Sequence, residues 1–313
     1  ELGRRLMALM MQHLSAPDDD QALLIEAKSI AVRYAQTCMQ VGLTASEGLE
    51  ATTFFRDAQV TQQVKARKKN GDWVINGQKS AWISNGPVAS NVSLFLNLDP
   101  SKGLSGGGIC LLDLDSPGVS RGRPLDKIGQ RELPQGELFF DNVVCPGEFM
   151  IVDPESYEAM TELTLGHANA TMGAYFTGVA QAAYDLAVKY STERVQFGTA
   201  IANKQAIQMF LADSATEVQA AQWLVRHAAW LIDQGQPFTQ AAAMAKLFAG
   251  RMAGSVTNKM VQVHGGAGFS AEYPIERYYR DARAVELVEG TSQMQQIVIA
   301  GGLLAPVGVK VRP

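Results

Sequence analysis

Near Pro154 the spacing of apolar residues in this chain switches from alternation to helical recurrence. A segment cannot satisfy both periods at once, so the two halves must form a sheet and a set of helices in turn. Upstream, Val60, Gln62, Val64 and Ala66 alternate with other positions. Asn70-Gly71 then marks a tight hairpin, and Trp73 to Ile75 forms the returning strand. Asn76-Gly77 reads as a further turn before Ala81-Trp-Ile-Ser84. Residues 92–98, 109–114 and 137–144 read as more strands, and the glycines of 103–108 as a flexible connection. That glycine run lacks the strand-to-helix setting of a dinucleotide loop, so no nucleotide role attaches to it. Downstream, helices are expected over 155–192 (broken near Gly166 or Gly173), 203–233, 239–263 and 292–304. Gly235 and Pro237 separate the second from the third. Long helices with short links point to a four-helix bundle.

Residues 1–57 also read as helical. Leu6, Leu9, Met10 and Leu14 recur at helix spacing, Asp18 to Asp20 break the pattern, and Thr44-Ala-Ser-Glu47 has the form of a capping box. The expected fold class is therefore α+β, with a helical N-terminal segment (1–57), an antiparallel sheet domain (58–152) and a C-terminal four-helix bundle (153–313). A length of 313 residues, 47% of them hydrophobic, suffices for a substantial core. A net charge of −4 argues against a general nucleic-acid-binding surface. Cys38, Cys110 and Cys145 are scattered, and with only four histidines no metal-ligand spacing emerges. No run is long and apolar enough to span a bilayer, and the first residues do not resemble a targeting peptide. The expectation is a soluble protein of the cytoplasm or, after processing, of an organellar matrix.

The chemistry concentrates between Tyr279 and Gln295. Glu289 stands between the apolar Val285, Leu287 and Val288 and a helix start, where Ser292 and Gln295 have capping-box spacing. Gly290 permits a sharp turn. One carboxylate on a turn among apolar neighbours, just before a helix N-terminus, can serve as a base once burial raises its pKa. Read alone, the same residues also describe a surface glutamate ahead of a helix. Likewise Arg194 could be a solvated charge at a helix end, and Trp82-Ile83 part of a core strand.

Tyr279-Arg-Asp-Ala-Arg283 followed by Glu289-Gly-Thr-Ser-Gln293 resembles the C-terminal signature of acyl-CoA dehydrogenases. Arg194-Val-Gln-Phe-Gly198 and Gln262-Val-His-Gly-Gly266 are similar to motifs of that family and stand in the same order. Asn76-Gly-Gln-Lys, Trp82-Ile-Ser-Asn-Gly86, Lys127-Ile-Gly-Gln-Arg131 and Phe139-Phe-Asp-Asn-Val-Val-Cys-Pro146 resemble its sheet domain. The likeness runs from about residue 60 to 304. The segment Thr52 to Gln59 departs from the family's Thr-Glu-Pro-x-x-Gly-Ser-Asp pattern.

The resemblance implies an FAD enzyme that oxidises an acyl-CoA thioester to the trans-2-enoyl thioester. Glu289 would be the α-proton base, since Gly166 to Asn169, where some members carry theirs, contains no Glu. The Gly290 amide would bond the substrate's thioester carbonyl. Trp82, Ile83 and Ser84 would contact the flavin ring. Arg194 would contact the FAD diphosphate and Gln205 would make another FAD contact; Gln262, Val263, His264, Gly265 and Gly266 would contact FAD, commonly the copy on the neighbouring subunit, and Thr291, Ser292 and Gln293 would lie near the adenosine diphosphate or ribose. The implied partners are an electron-transfer flavoprotein and further copies of the chain, as a homodimer or homotetramer, in fatty-acid metabolism; neither nucleic acid nor membrane is implied. The rival reading is the same fold without this activity, either a flavin monooxygenase or a scaffold lacking FAD. A nucleic-acid-associated relative would need a basic patch.

Overall fold

The computed structural model describes residues 64–309 and Val311. The expected helices of 1–57, the strand positions 60–63 and the atypical segment 52–59 lie outside the described residues. Those described divide into two compact units, a sheet unit ending at Leu165 and a helical unit from Gly166 that also includes Ile128–Gln130.

The sheet unit contains β1 (Lys65–Lys69), β2 (Asp72–Ser84), β3 (Asn91–Asn97), β4 (Gly107–Asp113), β5 (Val119–Arg121), β6 (Gln135–Cys145) and β7 (Met150–Val152). They form one sheet in the order β5-β6-β2-β1-β3-β4-β7. The β1–β2 hairpin turns through Asn70 (φ 52°) and Gly71 (φ 97°), the left-handed pair that a two-residue hairpin demands. The expected turn at Asn76-Gly77 is absent. β2 runs straight through it, with a shift in its pairing to β6 between Ile75 and Gly77. Asn76 serves the sheet instead: its Oδ1 accepts from the Asn142 amide at 2.9 Å. The sheet is also not wholly antiparallel, because β1 and β3 pair in parallel. β1 lies between β2 and β3, and the chain crosses over it from one to the other. Alternate side chains (Val64, Ile75, Leu94, Leu96, Leu112, Leu138 and Val143) fill the sheet core.

Gly107 and Gly108 belong to β4 rather than to a flexible connection. The reason is Tyr157, whose ring lies so close that a Cβ at Gly107 would overlap it. Tyr157 is 1% exposed and packs with Phe95, Ile109, Val152 and Leu165. The first turns of the following helix are thereby part of the sheet unit.

The helical unit holds α1 (Pro154–Glu193, beginning in the sheet unit), α2 (Gln205–Asp233), α3 (Thr239–His264), α4 (Ile275–Ala282) and α5 (Ser292–Leu304). A small hairpin, β8 (Val195–Gln196) with β9 (Thr199–Ala200), links α1 to α2. α1 is not broken at its glycines as expected. A Cβ at Gly166 would meet the Phe238 ring at 2.7 Å, and one at Gly173 would meet the Ala245 backbone at 3.3 Å. These glycines admit close neighbours instead of ending the helix. α3 is the central element, and its buried Ala242, Ala243, Ala245, Ala249 and Ala253 allow close approach on several sides. Phe176 and Ala180 of α1, Val218 of α2 and Val256 and Met260 of α3 share one core with Ile275 and Val285. Among the described residues no helix is long and apolar enough to cross a membrane.

The packing at Gly107 predicts that Gly107→Ala lowers stability by about 1–3 kcal/mol through overpacking. Gly301→Ala, in an open position of α5, should instead raise it by about 0.5–1 kcal/mol. Urea unfolding midpoints of the two variants check this pair; equal shifts would contradict it.

Candidate active site

Before Glu289 the chain makes a helical turn at Arg283–Glu286, laid against Gly250 of α3. Glu289 (φ 54°) and Gly290 (φ 82°) then take successive left-handed conformations. A glutamate rarely enters that region, so surrounding contacts must hold it there. Gln295 supplies them, its Nε2 donating to the carbonyls of both Glu289 and Gly290 at 3.2 Å. The Nζ of Lys246, on α3, donates to the Gly290 carbonyl as well. With trans peptides throughout, a carbonyl and the amide of its own peptide point in opposite directions. Both carbonyls turn toward Gln295, so the N–H groups of Gly290 and Thr291 face away from it. Glu289 is half-buried, and its Oε2 is shielded from solvent.

The helix cap differs from the expected one. Thr291 is the N-cap, its Oγ1 accepting from the Met294 amide at 3.4 Å. Ser292 is the buried first helical residue and Gln293 an exposed one. Gln295 therefore lies one position beyond capping-box spacing and reaches back to the turn, not to the cap amide.

A second group forms around a cavity of about 670 Å³ in the helical unit. Arg194, Val263, His264, Gly265 and Gly266, all from the sequence motifs, line it together with Tyr190, Phe197, Lys204 and Tyr273. Gln205 opens α2 on the surface beside Ala206, which lines the cavity. Gln262 is exposed at the end of α3, where its carbonyl accepts from the Gly265 amide. Tyr190, Lys204 and Tyr273 are lining residues outside the motifs, while Phe197, within the Arg194–Gly198 motif, is placed by a local device. Phe197 (φ 54°) and Gly198 (φ 78°) form the β8–β9 turn and leave the Phe197 ring 94% exposed. The hairpin form of that motif was legible, with Phe-Gly flanked by Val195 and Thr199; Tyr190, Lys204 and Tyr273 carried no such signal.

His264 is 6% exposed and stacks on Tyr190 with ring centroids 4.4 Å apart. Burial holds its pKa below the ordinary imidazole range, and the bond to the Met260 carbonyl opposes this only in part. In the neutral ring Nδ1 donates to that carbonyl at 2.7 Å, so Nε2 remains an acceptor. Cations at Arg194 and Lys204, open space beside the Gly265 and Gly266 main chain, and the rings of Tyr190 and His264 make up the lining. That donor set fits a diphosphate bearing an aromatic base, as in FAD.

The third group lies in the sheet unit, at the end of β2. Trp82 is 59% exposed, whereas the Ile83 side chain is 2% exposed and belongs to the sheet core. Ile83 can therefore present only its main chain to a ligand. Ser84 Oγ accepts from Gln135 Nε2 at 3.2 Å, which leaves the hydroxyl proton available for donation. Lys127 steadies Gln135 through a 2.9 Å bond to its Oε1.

The Tyr279-Arg-Asp motif has a structural task. Asp281 Oδ1 accepts from the Gln130 amide at 2.5 Å, and Arg280 donates to the Ile128 carbonyl at 2.7 Å. Glu276 fixes Arg280 by a paired contact at 2.6 and 3.1 Å. The motif thus anchors residues 128–130 rather than lining the cavity.

Residues 158–304 match the acyl-CoA dehydrogenase C-terminal domain, and residues 52–143 match the acyl-CoA dehydrogenase middle domain. The chain is 37% identical over 266 residues to a probable acyl-CoA dehydrogenase of Mycobacterium leprae, covering 84% of this chain and 67% of the relative. It superposes on butyryl-CoA dehydrogenase from Megasphaera elsdenii with a TM-score of 0.75 at 37% identity, covering 78% of this chain and 63% of the other. A chain in the structure of the electron transferring flavoprotein of Acidaminococcus fermentans gives a TM-score of 0.75 at 38% identity, covering 78% and 64%. The chain thus spans about two thirds or less of the length of these proteins.

The lowered pKa of His264 fixes a sign for pH dependence. Below the unfolded imidazole value of about 6.5, the unfolded chain binds a proton that the folded site resists. The His264 contribution is thus complete above that value and is lost as pH falls toward the folded pKa. Thermal midpoints measured through this window should fall more steeply for the parental chain than for His264→Gln; parallel curves would refute the assignment.

Proposed function

The chain belongs to the acyl-CoA dehydrogenase family, and from that premise we propose that it carries out FAD-dependent α,β-dehydrogenation of an acyl-CoA thioester to the trans-2-enoyl-CoA. The observation that carries the reading is the Glu289 turn: a half-buried carboxylate on a backbone pinned from behind. Glu289 accepts the α-proton. The Gly290 N–H, directed away from Gln295, donates to the thioester carbonyl, where negative charge gathers as the proton leaves. A donor fixed before the reaction needs no reorganisation during it, so its stabilisation falls chiefly on the transition state. FAD, when bound, supplies the acceptor for the β-hydride.

The residues that hold FAD are Arg194 at the diphosphate, Gln205, Gln262 to Gly266 (commonly toward the FAD of a neighbouring subunit), and Thr291 to Gln293 near the adenosine diphosphate or ribose. Trp82 offers a ring face to the flavin ring, Ser84 a hydroxyl and Ile83 its main chain. The cationic and glycine-rich cavity supports the diphosphate assignment. The electrons pass on to an electron-transfer flavoprotein, a partner supported by the similarity to a chain in such a protein's structure. A homodimer or homotetramer completes the cofactor site, and the cytoplasm or an organellar matrix is the compartment.

Glu289→Gln should keep flavin yet lose about 10³-fold in turnover, since the amide cannot accept the proton. Anaerobic bleaching of the flavin absorbance by an acyl-CoA reads the parental activity, and a variant that bleaches at the parental rate removes Glu289 from this role. Arg194→Met should weaken FAD binding about 10- to 100-fold through loss of charged hydrogen bonds, with turnover at saturating FAD nearly unchanged. Titration of the flavin-stripped protein followed by fluorescence quenching measures this, and unchanged affinity would exclude Arg194 from the site.

A further inference from the structure

Lys246 is the one lysine among the largest fully buried side chains of the described residues, at 1% exposure in the middle of α3. Burying a lysine amine is costly, and natural structures do so almost only where the amine is paired. Its Nζ reaches across to the Gly290 carbonyl, the same oxygen that accepts from Gln295 Nε2 at 3.2 Å. Gly290 is therefore held by two donors from two helices, while the Glu289 carbonyl accepts from Gln295. The lysine itself is seated by close packing. A Cβ at Gly173 of α1 would meet the Lys246 backbone nitrogen at 3.4 Å and the Ala245 carbonyl carbon at 3.3 Å. Gly250, one turn further along α3, lets the Glu286 side chain lie close, at 3.4 Å from a built Cβ. The backbone on both sides of Lys246 thus sits in fixed contact, and the lysine joins α3 to the left-handed turn.

We propose that Lys246 is a positioning residue for the proposed dehydrogenation, gripping the Gly290 carbonyl from α3 so that the Glu289 carboxylate and the Gly290 N–H keep their orientation toward the thioester. This rests on the reading of Glu289 as the base. Without Lys246 the Gly290 carbonyl keeps its bond to the Gln295 amide but loses the second donor, and a left-handed glycine can rotate easily. Rotation of that peptide redirects the N–H of Thr291 and loosens the preceding one. The substrate's affinity draws on other contacts and changes little, whereas proton removal depends on alignment.

The test uses the full chain with Lys246→Met, which keeps the length of the side chain and removes the donor, and Lys246→Gln, which restores a neutral donor. Hydrogen exchange of the unliganded protein, read by mass spectrometry, should show residues 286–296 exchanging about tenfold faster in Lys246→Met, with α1 to α3 still protected. In turnover assays kcat should fall roughly 30- to 100-fold with KM within about threefold of the parental value. Lys246→Gln should recover part of both losses. Unchanged exchange over 286–296, or a kcat within about twofold of parental, overturns the proposal. Loss of protection throughout α1 to α3 in both variants also overturns it, because Lys246 would then be a general support of the bundle. The exchange arm needs neither flavin nor substrate. A parental protein that fails to bleach with acyl-CoA therefore counts against the dehydrogenation, while the exchange data decide separately whether Lys246 holds the turn.

Discussion

Two successive residues in the left-handed region, the first a glutamate, cannot persist on local preference. The conformation costs a non-glycine residue about 1–2 kcal/mol, so nearby donors must fix it. Here Gln295 binds the carbonyls of two successive peptides, those of Glu289 and Gly290, and Lys246 binds the second. The consequences run outward from that point. α5 can begin at Ser292 because Thr291 follows in extended geometry and caps it. The preceding turn at Arg283–Glu286 can lie on α3 because Gly250 and Gly254 offer no side chains to obstruct it. A backbone so constrained fixes the point from which the Glu289 side chain starts, which suits the role proposed for it.

The helical unit is built to permit this closeness. The alanines and glycines of α3, and Gly166 and Gly173 of α1, reduce the distance between backbones. Small residues sacrifice buried apolar area but allow helix-to-helix contacts that larger side chains would prevent. Larger groups (Phe176, Met252, Met260 and Val285) fill the remaining core. A polar side chain such as Lys246 can thus reach a backbone oxygen without an intervening layer.

The cavity uses a different kind of constraint. Phe197 and Gly198 adopt positive φ to close a very short hairpin, which places an aromatic ring almost wholly in solvent. Lys204 lies over that ring at 5.8 Å. His264, whose pKa burial holds below the ordinary range, stacks on Tyr190 in the same lining, so in its neutral form it supplies an acceptor and a flat ring. Cationic, aromatic and bare-backbone surfaces together suit a ligand with anionic and planar parts.

The amino-acid order was sufficient for the elements whose cause is local. Asn70-Gly71 closes the hairpin because only such residues tolerate its backbone. The helices beginning near 239 and 292 started where their apolar recurrence began. Other features were illegible for the opposite reason, since their cause is distant in the chain. Gly166 and Gly173 looked like breaks until Phe238 and Ala245 were seen against them, and Asn76-Gly77 looked like a turn until β6 was paired alongside. The same division holds at the site. Its motifs could be found along the chain, as could the glutamate and glycine of the turn. That a lysine 43 residues earlier in the sequence than Glu289 grips the turn was settled only by tertiary packing, because hydrogen bonds between helices follow proximity in space and leave no periodic trace in sequence.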